Sequence, residues 1–228
     1  TPDSPDIANN GDNPSADPTD APEDTGDDMS GDDMGEMVMA SISSDARLDP
    51  AVASADDTAV LEASSYIYDT LFGADGTEGL ALDWAVSDDG LTYEVRLRAN
   101  AVFSDGTPVD SDAVIANFYR WFDPENPLHG AGNYEAWLMY FEGFREEVPL
   151  DGEPSSLFDG VEKVDDLNFL IHLFEPMDDL TDILAMPQFS ILNPDVMEAA
   201  GADYGLQATP IVGSGAYQVQ SWDAGGLL

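Results

Sequence analysis

A chain of 228 residues with 43% hydrophobic residues is long enough to bury a core, as one domain or two small ones. Its 47 acidic residues against six basic ones give a formal charge of −41, which excludes a polyanion-binding surface, because phosphate contacts need clustered Lys and Arg. With no cysteine, disulfides, thiol nucleophiles, thiolate metal sites and iron–sulfur clusters are excluded as well.

Residues 1–36 hold twelve acids and no base, with Pro, Ser, Thr, Asn and Gly between them and no aromatic residue. Such a segment buries too little apolar surface to offset its ordering entropy, and a disordered acidic tether is expected. The remainder still has 35 acids against six bases, a formal charge of −29. Charge of one sign at this density repels itself across a Debye length of about 10 Å at 0.1 M salt and is tolerated when that length falls to about 3 Å at 1 M. A salt-loving source is the expectation.

From Met37 short strands and helices alternate. "MVMASIS" reads as a first strand, ended by "RLDP". Asp56 or Asp57 is placed to cap a helix whose apolar face is Val60, Leu61, Ser64, Ile67, Tyr68 and Leu71, with Gly73 as its left-handed stop. A Gly-rich turn follows. In the stretch 87–108, Leu91, Tyr93, Val95 and Leu97 alternate with Thr92, Glu94, Arg96 and Arg98, so this is a half-buried strand, with Gly90 and Gly106 free to take positive φ in its flanking turns. Ser111 is expected to cap a helix bearing Val114, Ile115, Phe118 and Phe122, stopped by "DPENP".

Residues 128–158 are aromatic and Gly-rich without clean periodicity, and only a short helix near Tyr134 to Phe144 is expected there. "VEKVDDLNFLIHLFEP" predicts a hairpin turning at Asp165 and Asp166. A helix over Leu180 to Ala185, a strand "QFSIL", a helix "DVMEAAG" and a last strand "GAYQVQSW" complete the order. No apolar run approaches the 18 or so residues needed to cross a bilayer, and the opening "TPDS", without an initiator Met or a basic-then-apolar leader, leads to the expectation that a targeting segment has been removed or was not included.

Catalysis has no recognisable constellation. His172 sits mid-strand and His129 in a Pro and Gly loop, without metal-ligand spacing, and "VGSGAY" is not a nucleophile elbow, so no enzyme, no metal and no cofactor are expected. The rival reading is a calcium-binding acidic cell-surface module built on Asp105, Asp110 and Asp112, although Pro108 interrupts that run and its spacing does not match an EF-hand loop.

The succession "LDP", "YDTLF", "WAVSDDGLTYEVRLRANAVFSDGTPVDSDAVIANFYRW", "GVEKVDDLNFLIHLFEP" and "GSGAYQVQSW" resembles the extracytoplasmic solute-binding proteins of peptide and nickel ABC importers, from about Met37 to Leu228. In place of the usual "GTGPY" this chain has "GSGAY", with Ala216 where proline is common. The resemblance implies an α/β fold with a mixed sheet, shaped as two lobes that close on a solute, with a small extra domain. Residues 37–66 and 189–228 would then form an incomplete first lobe and 67–188 the small extra domain, the second lobe being missing beyond residue 228. It also implies peptide or similar solutes, permease subunits as partners, a monomer, and a place outside the membrane, tethered by a lipid anchor upstream of residue 1. By position in such proteins, Ser54, Ala55 and Asp56 after "LDP", and Tyr134 and Trp137 in "GNYEAWLMYF", are the candidate ligand-binding residues. For Asp56, helix capping is an equally good reading, and for the two aromatics a place in the core. The excess of carboxylates points to cationic solutes.

Overall fold

The alternation of Tyr93, Val95 and Leu97 with Glu94 and Arg96 gives one strand a dry face and a wet face, and a sheet grows on both of its edges. The computed structural model describes residues 46–74, 78–145 and 155–222. Strands β1 (Ala81–Val86), β2 (Thr92–Leu97), β3 (Phe158–Lys163) and β4 (Asn168–Leu173) form an antiparallel sheet in the order β1-β2-β4-β3. Val95 stands opposite Trp84 and Phe169, and Ile171 opposite Tyr93 and Val161, which lines one face with apolar side chains. The turns at Gly90 and Gly106 have φ of 74° and 87°, as their Asp-Gly steps require.

Five helices accompany the sheet among the described residues: α1 (Thr58–Ile67), α2 (Ser111–Phe122), α3 (Glu135–Phe141), α4 (Leu180–Ile183) and α5 (Pro194–Ala200). Helix α2 covers the dry face. Its Phe118 stacks on Phe158 at 5.4 Å, and Phe122 meets the same ring edge-on at 4.9 Å. Trp121, Trp137, Phe141 and Phe189 complete this aromatic core. A second apolar cluster gathers Leu48, Val60, Ala63, Ile67 and Tyr68 with Leu192, Met197, Tyr204 and Trp222.

Polar side chains of α2 stitch the two clusters together. Asn117 donates to the Leu192 carbonyl at 2.7 Å and accepts from the Leu192 N–H at 3.1 Å, while Arg120, one helical turn on, reaches Asp49. Asn193 both caps α5, accepting from Asp195 and Val196, and donates to Asp105 and Thr107.

Several expectations are corrected. Strand β1 was hidden in what read as a turn: its residues after Ala81 are exposed, because it is an edge strand held by its ladder and by the Arg96–Asp83 ion pair. Helix α1 ends at Ile67, before Tyr68, Leu71 and Gly73, because Tyr68 is extended and the chain runs on to a bridge between Thr70 and Ser190. Asp110, not Ser111, caps α2, its carboxylate accepting from the Ala113 N–H. "QFSIL" is a 3₁₀ turn at Pro187–Phe189 followed by that bridge, and "GAYQVQSW" is irregular. The latter's donors at Gly215 and Tyr217 find the carbonyls of Ile67 and Tyr66 instead of a strand. The hairpin, α3, α4 and α5 lie where the sequence places them, with ends shifted by a few residues. The acidic tether at 1–36 and the strand at 37–43 lie outside the described residues.

Candidate functional site

The turn after Leu48 begins the site. Proline at 50 opens a 3₁₀ turn, Pro50–Val52, and Asp57 precedes α1, so the stretch from Ala46 to Val60 doubles back on itself. It walls a cavity of about 320 Å³, apolar at Ala46, Val52, Ala53 and Val60 and charged at Arg47, Asp49 and Asp57.

Each charged wall residue is held from behind. Arg47 donates through Nη1 to the carbonyls of Ala202 at 3.0 Å and Tyr204 at 2.6 Å. Asp57 accepts through Oδ2 from both the N–H and the hydroxyl of Ser54. Asp49 Oδ2 takes Arg120 Nη2 at 2.5 Å, with both side chains almost fully buried. Burial works against the Arg120 charge, but the charge and hydrogen bond of Asp49 together with the Tyr134 and Tyr204 phenols outweigh it and hold the guanidinium pKa above its ordinary value. Asp49 Oδ1 and Arg120 Nη1 have no partner among the described residues.

Three phenols surround this ion pair. Tyr134 and Tyr204 lie with their rings 5.7 Å and 5.9 Å from the Arg120 guanidinium carbon, and Tyr68 donates to the Leu48 carbonyl at 3.1 Å. Burial raises all three, Tyr134 to about 12, so they stay neutral donors across the physiological range. His129 packs its ring against Tyr134 at 4.3 Å, and its Nδ1 lies 2.7 Å from the Arg120 carbonyl oxygen.

The five residues singled out from sequence are distributed unevenly around the cavity. Ser54 is half-buried against Asp57, and Ala55 and Asp56 are exposed on the same turn, between two wall residues in sequence. Asp56 does not cap α1 with its side chain; Asp57 precedes the helix and gives its carboxylate to Ser54. Tyr134 and Trp137 are each 1% exposed and do not line the cavity. Tyr134 donates to the His129 carbonyl, and the Trp137 indole N–H to the Gly143 carbonyl at 2.9 Å. The wall residues Arg47, Asp49 and Asp57 were not among the ligand-binding candidates from sequence, where Asp57 stood only as a helix cap and Arg47 and Asp49 only as part of "RLDP". Arg47 had a signal, since it is one of only six bases and stands beside "LDP".

The carboxylates of the calcium reading are engaged elsewhere. Asp105 accepts from Thr107 and Asn193, Asp110 caps α2, and Asp112 pairs with Lys163 at 2.8 Å. Among the described residues no group of three or more potential ligands could hold a metal ion.

A family model described as bacterial extracellular solute-binding proteins, family 5 Middle, matches residues 77–227. The chain is similar to the glutathione-binding protein GsiB of Salmonella paratyphi A, 32% identical over 192 residues covering 82% of this chain and 32% of the relative. GsiB of Escherichia coli O1:K1 is 31% identical over the same shares. Among solved structures, DppA of Helicobacter pylori in complex with the peptide STSA superposes with a TM-score of 0.63 at 25% identity, over 78% of this chain and 35% of that one. HbpA2 of Haemophilus parasuis gives 0.61 at 27%, over 76% and 35%. The chain thus spans about a third of the length of the relatives it matches.

Proposed function

Because the chain belongs to family 5 of the bacterial extracellular solute-binding proteins, we propose that it forms part of the solute-gripping body of an ABC importer's binding protein. It captures peptides or peptide-like small solutes outside the membrane and delivers them to permease subunits. It works as a monomer, kept at the surface by a lipid anchor upstream of the acidic segment.

The observation that carries this reading is the cavity beside "LDP". Its wall combines apolar surface with charges of both signs, Arg47 and Asp49 locked by bonds to residues far away in sequence and Asp57 by its own turn. Preformed, partly apolar concavities with a few fixed polar groups are what small-solute sites require. The two apolar clusters support a division into an incomplete first lobe, 37–66 with 189–228, and a small extra domain, 67–188, although both lie in one compact unit. In that arrangement the turn at Ser54, Ala55 and Asp56 reaches the solute from the rim, while Tyr134 and Trp137 shape the site from beneath.

Calorimetric titration of the full-length protein with di- and tripeptides, glutathione, nickel–histidine and calcium is the test. Binding to one of the organic solutes or the metal chelate with calcium silent is expected. Calcium binding without any of the others would overturn the proposal.

A further inference from the structure

Cations are scarce in this protein, and the structure shows where each is used. Arg96 pairs with Asp83, Arg98 with Glu78, Arg120 with Asp49, Arg145 with Asp123, and Lys163 with Asp112 and Asp166. Arg47 alone has no carboxylate partner among the described residues. It gives Nη1 to two backbone carbonyls, and its Nε and Nη2 have no described partner. This is also the base that lines the cavity.

Resting on the solute-binding reading, we propose that Arg47 anchors a carboxylate of the solute, so that the cavity selects carboxylate-bearing ligands and not simply cations. The chemistry fits on three counts. Two carbonyls hold one arm of the guanidinium, leaving a preorganised edge of the planar fork for a carboxylate, which such forks bind better than an ammonium does. The local charges are balanced, because Asp49 is neutralised by Arg120 and only Asp57 stands against Arg47. A solute carrying both a carboxylate and an ammonium, as the end groups of peptides and amino acids do, therefore meets a complementary wall even though the chain as a whole is strongly acidic. The apolar residues Val52, Ala53 and Val60 take the uncharged part of the solute.

The experiment compares the dipeptide Met-Leu with its C-terminal amide, by calorimetry on full-length protein, in the wild type, Arg47→Gln and Arg47→Lys. The wild type is expected to bind the free acid at least about tenfold more tightly than the amide, the scale of one charge-assisted hydrogen bond. Arg47→Gln should bind both forms alike and the amide as the wild type does, and Arg47→Lys should keep part of the preference. A wild type that does not distinguish acid from amide overturns the proposal, as does an Arg47→Gln variant that keeps the preference. Equal weakening of both forms in Arg47→Gln also overturns it, since Arg47 would then only tie the chain to residues 202–204. A wild type that binds neither form, nor any other organic solute or chelate, fails the solute-binding reading itself, and the subsite falls with it.

Discussion

Asp49 and Arg120 meet with side chains only 3% and 4% exposed, the most buried of the ion pairs among the described residues. Taking two ions out of water costs several kcal/mol each, and one contact does not repay it unless further bonds satisfy the remaining atoms. Arg120 makes one such bond through Nε to the Leu128 carbonyl at 3.0 Å and rests between two tyrosine rings. The pair thus specifies how α2 meets the "LDP" turn more than it stabilises the fold. His129, attached to the Arg120 carbonyl, gives a pH test. Burial, aided by the Arg120 charge, holds its imidazole pKa below the ordinary 6.5 against the opposing effect of that backbone bond. The unfolded chain therefore takes up a proton that the folded one refuses, and stability falls as pH drops from about 6.5 towards the folded value. Burial raises the Asp69 carboxyl, whose protonation acts in the opposite sense, so the difference between wild type and a variant lacking the imidazole isolates the share of His129. Urea midpoints of the full-length protein are expected to decline between pH 7.5 and 5.5, and His129→Gln should flatten the decline. A wild-type midpoint that is level across this range would contradict the burial argument.

At the scale of elements, the informative failures are the ends. Apolar spacing runs through Tyr68 and Leu71 as if α1 continued, and both residues are indeed buried, yet Tyr68 is buried from extended backbone and Leu71 from a bend. Periodicity reports which side chains leave water and is blind to where the helix stops. The stop comes from outside: the 213–217 loop comes so close that a Cβ on Gly213 would lie 1.9 Å from the Ile67 carbonyl oxygen. Gly213→Ala is therefore expected to destabilise the protein by about 1–3 kcal/mol, as overpacking does. Gly160→Ala, whose new methyl would meet only the Tyr119 hydroxyl at 3.5 Å, should change stability by no more than about 0.5 kcal/mol. Equal denaturation midpoints for the two variants would show that the loop does not press on the end of α1. Strand β1 failed in the opposite sense. Leu82, Trp84 and Val86 alternate properly, but they are 52%, 50% and 47% exposed, and such an edge strand is held by pairing that no local pattern announces.

For the whole molecule, charge is the dominant fact. Among the described residues the bases meet carboxylates or backbone carbonyls, and most of the 35 acids after residue 36 have no cation to pair with. Lowering salt from about 1 M to about 0.01 M lengthens the Debye screening from about 3 Å to about 30 Å, so that acids across the whole surface repel one another. The circular dichroism of the full-length protein is expected to lose native signal over that range and regain it on adding salt; an unchanged spectrum would count against adaptation to high salt. Composition and alternation by themselves determined the exclusion of nucleic acid and of thiol chemistry, the amphipathic strand and helix of the 87–122 stretch, the hairpin, and through their order the family. These properties depend on counts and on neighbours along the chain. Only the tertiary structure decided that Arg47, Asp49 and Asp57 share a cavity, that Tyr134 and Trp137 are buried and do not line it, and that Asp49 is neutralised by a residue 71 positions away. The wall itself is the single stretch 46–60, but Arg47 and Asp49 are fixed in it by Ala202, Tyr204 and Arg120, distant residues that reach them only after the chain has folded.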